Sequence, residues 1–308
     1  MTEATRPTGR VFYGWIIVLV GSVLTFLGTG FYSYSRGVFL PSLAEELAGG
    51  SRFEIAMGFS IASITSAFAA PFIGSVLDKY SPKKVILTGI VLVTASYLLL
   101  SVCQNLIQFY LVVGLGMGLG MTCMGNLAWH RTVISWFDHW RGRAISLGVL
   151  GASLAGVVMP PLVTSLVEAI GWRSSFVVFA IIVPSILIPL VAYFLRNRPE
   201  DIGEVRDGHI YSAAHKKDEI EDPAESRIWH WKEMIRFPAF WSIGLMFGAM
   251  GCVYSAVMLH LFGHLKDIGL EGSEAAVILS ATALFATLGK PVDGWMSDLF
   301  GARITIWM

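Results

Sequence analysis

Charge and cysteine are both scarce in this chain of 308 residues. Charged residues make up 14% of the sequence, whereas soluble domains have about 25%. The formal net charge is zero, so there is no basic surface that would take nucleic acid as a partner. The three cysteines, Cys103, Cys123 and Cys252, lie far apart, in or beside apolar runs. Their positions exclude a disulfide framework and zinc-ligand spacing.

The motifs of common enzymes are also missing from the sequence. It has no Walker-type phosphate loop, no nucleophile elbow and no cluster with metal-ligand spacing. We therefore expect a protein that is not an enzyme and that uses neither a cofactor nor a metal ion.

Hydrophobic residues, by contrast, make up 55% of the chain. A membrane-spanning helix needs about 20 mainly apolar residues, and eight segments meet this requirement. They are 13–40, 54–77, 84–103, 107–135, 143–169, 174–195, 238–264 and 274–297. The first is too long for a signal-peptide core of about 7–15 residues, so we interpret it as an uncleaved helix. The sequence thus predicts an all-α membrane protein embedded in the lipid bilayer.

A polar segment divides these spans into two groups. We expect a six-helix bundle over 1–195, a cytoplasmic linker over 196–236 and a partial second bundle over 237–308, in which residues 304–308 begin a ninth apolar run. With a cytoplasmic N-terminus, sixteen Lys and Arg residues of the connections lie inside and three lie outside. Because cytoplasmic loops carry the excess of Lys and Arg, we expect this orientation, in the plasma or inner membrane.

One spaced cluster occurs twice, 220 residues apart, and each copy closes an apolar segment. It holds a Gly, an Asp four residues later and a basic residue five positions after the Asp. The members are Gly74, Asp78 and Lys83 in the first copy and Gly294, Asp298 and Arg303 in the second. The Gly would allow close helix approach, the Asp would cap a facing helix, and the base would meet carbonyl ends or acids. We interpret the clusters as a conformational latch in a duplicated multi-helix unit.

The two clusters resemble the loop signature of the major facilitator superfamily between helices 2 and 3 and between helices 8 and 9. The first copy differs by having Ser81-Pro82 where a Gly is usual. Four further stretches are similar to the monocarboxylate transporter branch and its oxalate/formate antiporter relatives. They are Tyr13-Gly-Trp15, Tyr34-Ser-Arg-Gly-Val-Phe-Leu-Pro41, Trp136-Phe-Asp-His-Trp-Arg141 and Gly171-Trp-Arg173.

The resemblance implies a fold of twelve helices in two six-helix bundles. This chain would supply the N-terminal bundle, the first two helices of the C-terminal bundle and a stub of the third. We therefore expect it to be truncated after helix 8.

Two cations inside predicted helices are candidates for substrate binding, because a charge at the membrane centre costs about 2.5–3.5 kcal/mol on insertion scales. Lys290 precedes Pro291 and so matches the basic residue that helps bind the substrate carboxylate in helix 8 of monocarboxylate transporters. Alternatively, it snorkels to the interface. The acid that the family keeps four residues earlier is Ala286 here. Arg36, near the outer end of helix 1, is either an anion-attracting gate or an interfacial arginine with its head in water.

The remaining candidates are polar groups with a plausible structural role as well. Tyr34 and Tyr254 recur at the same 220-residue interval, which would place both at the central cavity, although either could be a packing aromatic. Asn126 either lines the cavity or bonds across helices. His260 could take a coupling proton or be a neutral packing residue. Arg131, near the cytoplasmic end of helix 4, is expected to snorkel.

These observations predict a secondary active transporter of small organic anions, either monocarboxylates or dicarboxylates, that works by alternating access. A coupling proton or a counter-anion would be a further partner. The alternatives are an efflux pump of the same superfamily for other small molecules and a non-transporting membrane sensor with the same fold.

Overall fold

The computed structural model describes residues 12–138, 140–207, 233 and 235–300; for residues 286 and 289–300 the description covers the backbone. These parts of the chain are helical and contain no strand. We number the long helices α1 to α8. They are Gly14–Leu47 (α1), Arg52–Lys79 (α2), Pro82–Ser101 (α3), Leu106–Trp136 (α4), 141–170 (α5), 172–194 (α6), Pro238–Asp267 (α7) and Gly272–Phe300 (α8).

Each of the eight predicted spans coincides with one of these helices, so the expected all-α membrane fold is confirmed. Helices α1 to α4, the stretch Arg141–Phe194 and α7 are long and apolar enough to cross a membrane. In α8, the part whose side chains the structure describes includes the shorter apolar segment Gly272–Phe285. The ninth apolar run at 304–308 lies outside the described residues. The protein is therefore an integral membrane protein that crosses the bilayer several times.

Helix α1 is longer than the sequence predicted, because it continues past Pro41 to Leu47 instead of ending near residue 40. Hydropathy marks the part of a helix that needs lipid, whereas the helix itself ends where its backbone hydrogen bonds end. The last bonds of this helix run from the amides of Ala48 and Gly50 to the carbonyl of Ala44, at 3.1 and 2.8 Å.

Two glycines interrupt the regular helices. Gly171 has φ 76° and ψ 165°, a conformation open essentially only to glycine, and it alone separates α5 from α6. Gly125 is extended, with φ −77° and ψ −160°, and divides α4 into a first part that ends at Met124 and the segment Asn126–Trp136. Helix α4 is therefore discontinuous.

The core of the N-terminal bundle is built around Trp129 of α4, which is fully buried. Its ring fills a notch formed by two glycines. A Cβ placed on Gly21 of α1 would lie 1.7 Å from its Nε1, and one on Gly148 of α5 would lie 1.9 Å from its Cη2. The hydroxyl of Thr25 donates to the Gly148 carbonyl at 2.9 Å. Small residues and short polar bonds of this kind allow membrane helices to pack closely.

The two bundles touch along one end of the molecule, where α1 leads into α2 and α7 leads into α8. We call this the closed end (residues 46–52, 172–173 and 267–272). There α7 packs on Arg36–Leu47 of α1, and α8 packs on α5. The approach is close, because a Cβ on Gly37 would lie 2.9 Å from the Met258 carbonyl oxygen. Toward the other end, residues 238–254 of α7 are almost all exposed.

Candidate functional site

Tyr34 and Tyr254 meet where the two bundles face each other. Their hydroxyls are 3.0 Å apart and form a hydrogen bond from Tyr254 to Tyr34. Tyr34 ends a π-helical turn, Gly30–Tyr34, inside α1, and its ring lies against Gly156 of α5. Two residues at equivalent positions of a duplicated unit meet when they lie close to the axis that relates the halves. The 220-residue interval in the sequence therefore corresponds to a contact in space.

Arg36 lies two residues after Tyr34 and is 9% exposed. Its Nε is buried without a hydrogen-bond partner, and within the described part of the chain the side chain forms no ion pair. The ionisable groups that it faces are the phenols of Tyr32 and Tyr254. The side chain is thus buried, and its role as an anion-attracting gate stays a prediction.

The other predicted substrate residues are not all brought to this place. Asn126 is exposed at the break in α4. His260 is also exposed, whereas its neighbours Met258, Leu259 and Phe262 are buried. Lys290 is part of α8, but the structure describes only its backbone and not its side chain.

The first latch cluster lies at the end opposite to the closed end. The Asp78 carboxylate is 2.8 Å from the Arg131 guanidinium near the end of α4, whereas the sequence had suggested a facing helix terminus as its partner. Lys83 Nζ donates to the Ala192 carbonyl at 2.5 Å, near the end of α6. Among the described residues, no atom outside its own stretch of helix lies within 4 Å of the position that a Cβ on Gly74 would take.

The second latch cluster cannot be compared in the same way. The structure describes the backbone of Gly294 and Asp298 alone, and Arg303 lies outside the described residues.

A cleft of about 720 Å³ adjoins the Asp78–Arg131 pair. Its walls include the turn after α2, the end of α4 and the segment 197–206. That segment is bonded to the bundle, because the indole of Trp136 donates to the Arg196 carbonyl at 3.1 Å and the hydroxyl of Ser135 donates to the Asn197 carbonyl at 2.7 Å. The first residues of the predicted linker thus pack beneath the N-terminal bundle.

The closed end holds two ion pairs that the sequence did not indicate. Arg52 of α2 binds the carboxylate of Asp267 of α7 through two contacts, one of them 2.8 Å long, and so joins the two bundles. Arg173 of α6 pairs with Glu46 of α1, and Glu46 also accepts from the Trp172 indole at 2.6 Å. The signal that the sequence offers is that Arg52 and Arg173 are two of the three cations that the count of Lys and Arg places outside.

The family model described as Major Facilitator Superfamily, which represents the sequences of that family, matches residues 25–308 of this chain. This is most of the chain. The chain therefore belongs to the major facilitator superfamily.

Three relatives with transporter names illustrate the similarity. The chain is 24% identical over 299 residues to the uncharacterized MFS-type transporter YcxA of Bacillus subtilis, covering 94% of this chain and 66% of that protein. It is 25% identical over 301 residues to monocarboxylate transporter 13 of Bos taurus, with 96% and 64% covered. It is 25% identical over 261 residues to the probable L-galactonate transporter of Escherichia coli, with 83% and 56% covered. The chain thus spans about two thirds or less of the length of these relatives, which belong to a non-enzymatic class.

A solved structure shares the fold. It is a bacterial homolog of the human lysosomal transporter Spinster, in an inward-facing and unoccupied conformation. The TM-score is 0.70 at 16% identity, and the match covers 96% of this chain and 64% of that one. This similarity confirms the major facilitator arrangement of the helices.

Proposed function

We propose that the protein is a secondary active transporter of small organic anions, either monocarboxylates or dicarboxylates, that works by alternating access. The observation that carries this proposal is Arg36, a buried guanidinium without an ion-pair partner among the described residues, beside the tyrosine pair that joins the bundles.

An unpaired charge inside a membrane protein is costly, and buried charges are therefore paired or neutralised. Arginine stays protonated at all physiological pH values, so Arg36 cannot avoid the cost by losing its proton. An incoming carboxylate would supply the missing partner and could be held by two parallel hydrogen bonds. The hydroxyls of Tyr34 and Tyr254 lie next to this position and could turn toward a bound substrate.

Lys290 of α8 is the second cation of the proposal. It stands before Pro291 in the helix that packs on α5, and the sequence has Ala286 one turn earlier in place of an acid. A carboxylate between the two bundles could therefore be shared by one cation from each. The names of two relatives, for a monocarboxylate and an L-galactonate transporter, support this substrate class, since both kinds of molecule carry a carboxylate.

The arrangement of the bundles supports alternating access. The ion pair of Arg52 with Asp267 and the close approach at Gly37 shut one end, while α7 is exposed toward the other. With the N-terminus in the cytoplasm, as the count of Lys and Arg favours, this is an inward-facing state. Transport would then require the closed end to open while the Asp78 end closes.

The test is uptake of a labelled small carboxylate by the intact protein in proteoliposomes. Arg36→Gln and Lys290→Gln should each lower uptake at least about tenfold, because a hydrogen bond to a charged group is worth roughly 1.5–3 kcal/mol. Arg36→Lys should retain part of the uptake, since the charge survives while the planar fork is lost. Lys84→Gln is a matched control, because Lys84 is exposed on α3.

Three results would contradict the proposal. Equal binding of the carboxylate by Arg36→Gln and the parent would remove its main support. Transport of hydrophobic cations in place of carboxylates would favour the efflux pump. Binding without any transport would favour the membrane sensor.

A further inference from the structure

A small cavity lies inside the N-terminal bundle, on the inner side of α1. Its volume is about 20 Å³, which is room for roughly one water molecule. Arg36 and Tyr32 of α1 and Tyr97 of α3 line it together with aromatic and aliphatic side chains of α1, α2, α4 and α6, among them Phe39, Phe59 and Phe176. It is therefore lined by five helices of one bundle, whereas the tyrosine pair Tyr34–Tyr254 lies between the two bundles.

The three polar side chains of this cavity lack partners. Tyr97 is 2% exposed, and neither its hydroxyl nor that of Tyr32 forms a hydrogen bond with any described residue. Arg36 Nε is likewise buried and unbonded. A buried polar group without a partner costs about 1–3 kcal/mol, and more when it is charged. Of these three groups Arg36 Nε is the fully buried one, and an occupant of the cavity that accepts its hydrogen bond and those of the two hydroxyls would remove this cost.

The chemistry of the lining selects the occupant. A guanidinium is a donor only, and phenol hydroxyls can donate as well. Aromatic rings present a positive edge, and Phe39, Phe59 and Phe176 are among the rings in the wall. A water molecule could accept these hydrogen bonds, but it would leave the charge of Arg36 uncompensated. A carboxylate with its carbon skeleton is too large for the volume.

We propose that the cavity formed by Arg36, Tyr32 and Tyr97 binds a monatomic inorganic anion of the halide class, such as chloride. The anion would neutralise Arg36 when the cavity between the bundles holds no substrate. Since both would use the same guanidinium, a halide and a substrate carboxylate should compete. The site itself does not depend on the protein being a transporter of organic anions.

Thermal unfolding of the intact protein in detergent provides the test. Potassium chloride is titrated against potassium sulfate at equal ionic strength, because sulfate is too large for the cavity. Chloride should raise Tm saturably by about 2–4 °C, as expected when a ligand binds the native state alone. Bromide should do the same and give an anomalous scattering peak at the cavity in a crystal.

Two variants and a control locate the effect. Tyr97→Phe keeps the ring and removes the hydroxyl, and it should weaken chloride binding at least about threefold while leaving Tm in sulfate nearly unchanged. Arg36→Gln should abolish the chloride effect. Tyr110→Phe is the control, because the hydroxyl of Tyr110 donates to the Glu54 carbonyl at 3.0 Å and does not line the cavity. It should keep the full response to chloride.

The inference is overturned if chloride leaves Tm of the parent unchanged, since the cavity then holds water. It is also overturned if Tyr97→Phe and Arg36→Gln respond to chloride as the parent does. Failure of the proposed function has a different signature. In that case chloride stabilises the parent as described, but carboxylates neither compete with it nor cross the membrane.

Discussion

The carboxylate of Asp78 lies 2.8 Å from the guanidinium of Arg131, so the end of α2 is bonded to the end of α4. Both side chains are more than half exposed, and a pair of this kind contributes only about 0–1 kcal/mol. A weak bond between two helices of one bundle is well suited to be exchanged for another when the bundles move.

The first prediction concerns this pair. Asp78→Asn should slow carboxylate transport severalfold and change substrate binding little, because the residue lies at the latch and not near Arg36. Arg131→Gln should do the same, and the double variant should be no worse than either single one, since the two residues act through one bond. Uptake rates and binding isotherms measure this. Normal transport together with a large loss of affinity would contradict the latch interpretation.

The second prediction concerns the bond between the bundles at the closed end. Arg52→Glu should repel Asp267 and raise the population that is open at this end by roughly two- to fivefold, the range expected for an exposed pair. A cysteine introduced by Tyr254→Cys should then react faster with a thiol reagent added from that side. Combining Arg52→Glu with Asp267→Arg should restore the parent rate.

A matched control for this experiment is Arg141→Glu. Arg141 pairs with Asp138, three residues away in the same bundle, so its loss breaks a similar bond without affecting the contact between the bundles. If Arg141→Glu accelerated labelling as much as Arg52→Glu does, the closed end would not be held by the pair of Arg52 with Asp267.

The third prediction compares two glycines. Gly21→Ala should lower the free energy of unfolding by about 1–3 kcal/mol, because the new methyl group would overlap the indole of Trp129. Gly74→Ala should leave Tm nearly unchanged, since among the described residues no atom outside its own stretch of helix lies within 4 Å of the new atom. It should nevertheless slow transport if another helix approaches Gly74 in the opposite state. A large fall in Tm for Gly74→Ala would show that this state already uses the position for packing.

The fourth prediction tests the orientation with cysteine labelling. Burial raises the pKa of the Cys103 thiol, which lowers the thiolate fraction at neutral pH, and the thiolate is the reactive form. Cys103 should therefore react slowly. The exposed Cys252 would react, so the experiment uses a variant in which it is replaced by serine. A cysteine at Lys266→Cys should then be labelled in intact cells, and one at Lys79→Cys only after permeabilisation. The reverse pattern would overturn the expected cytoplasmic N-terminus.

The sequence predicted the helices well because hydropathy reports directly on what must lie in lipid. Each span was found within a few residues, apart from the longer end of α1. The 220-residue interval also pointed to a contact between helices, since equivalent positions of two similar halves can meet, as Tyr34 and Tyr254 do.

What the sequence did not reveal is how each helix is rotated and which helix lies beside it. The pair of Arg52 with Asp267 joins residues 215 positions apart, and no local pattern specifies such a neighbour. Arg131 was expected to reach toward water, and its bond to Asp78 depends on the packing of α4 beside α2. The burial of Arg36 likewise depends on the direction of its side chain, which is set by packing and not by hydropathy.

The single residue that separates α5 from α6 has a mechanical consequence. Because Gly171 is the single residue between α5 and α6, a tilt of α5 must be transmitted directly to α6. Helix α5 touches α8 of the other bundle, while α6 carries Arg173, which is tied to α1 through Glu46. A push on α5 from the second bundle is therefore shared at once by three helices of the first. The N-terminal half should turn as one solid piece rather than bend helix by helix.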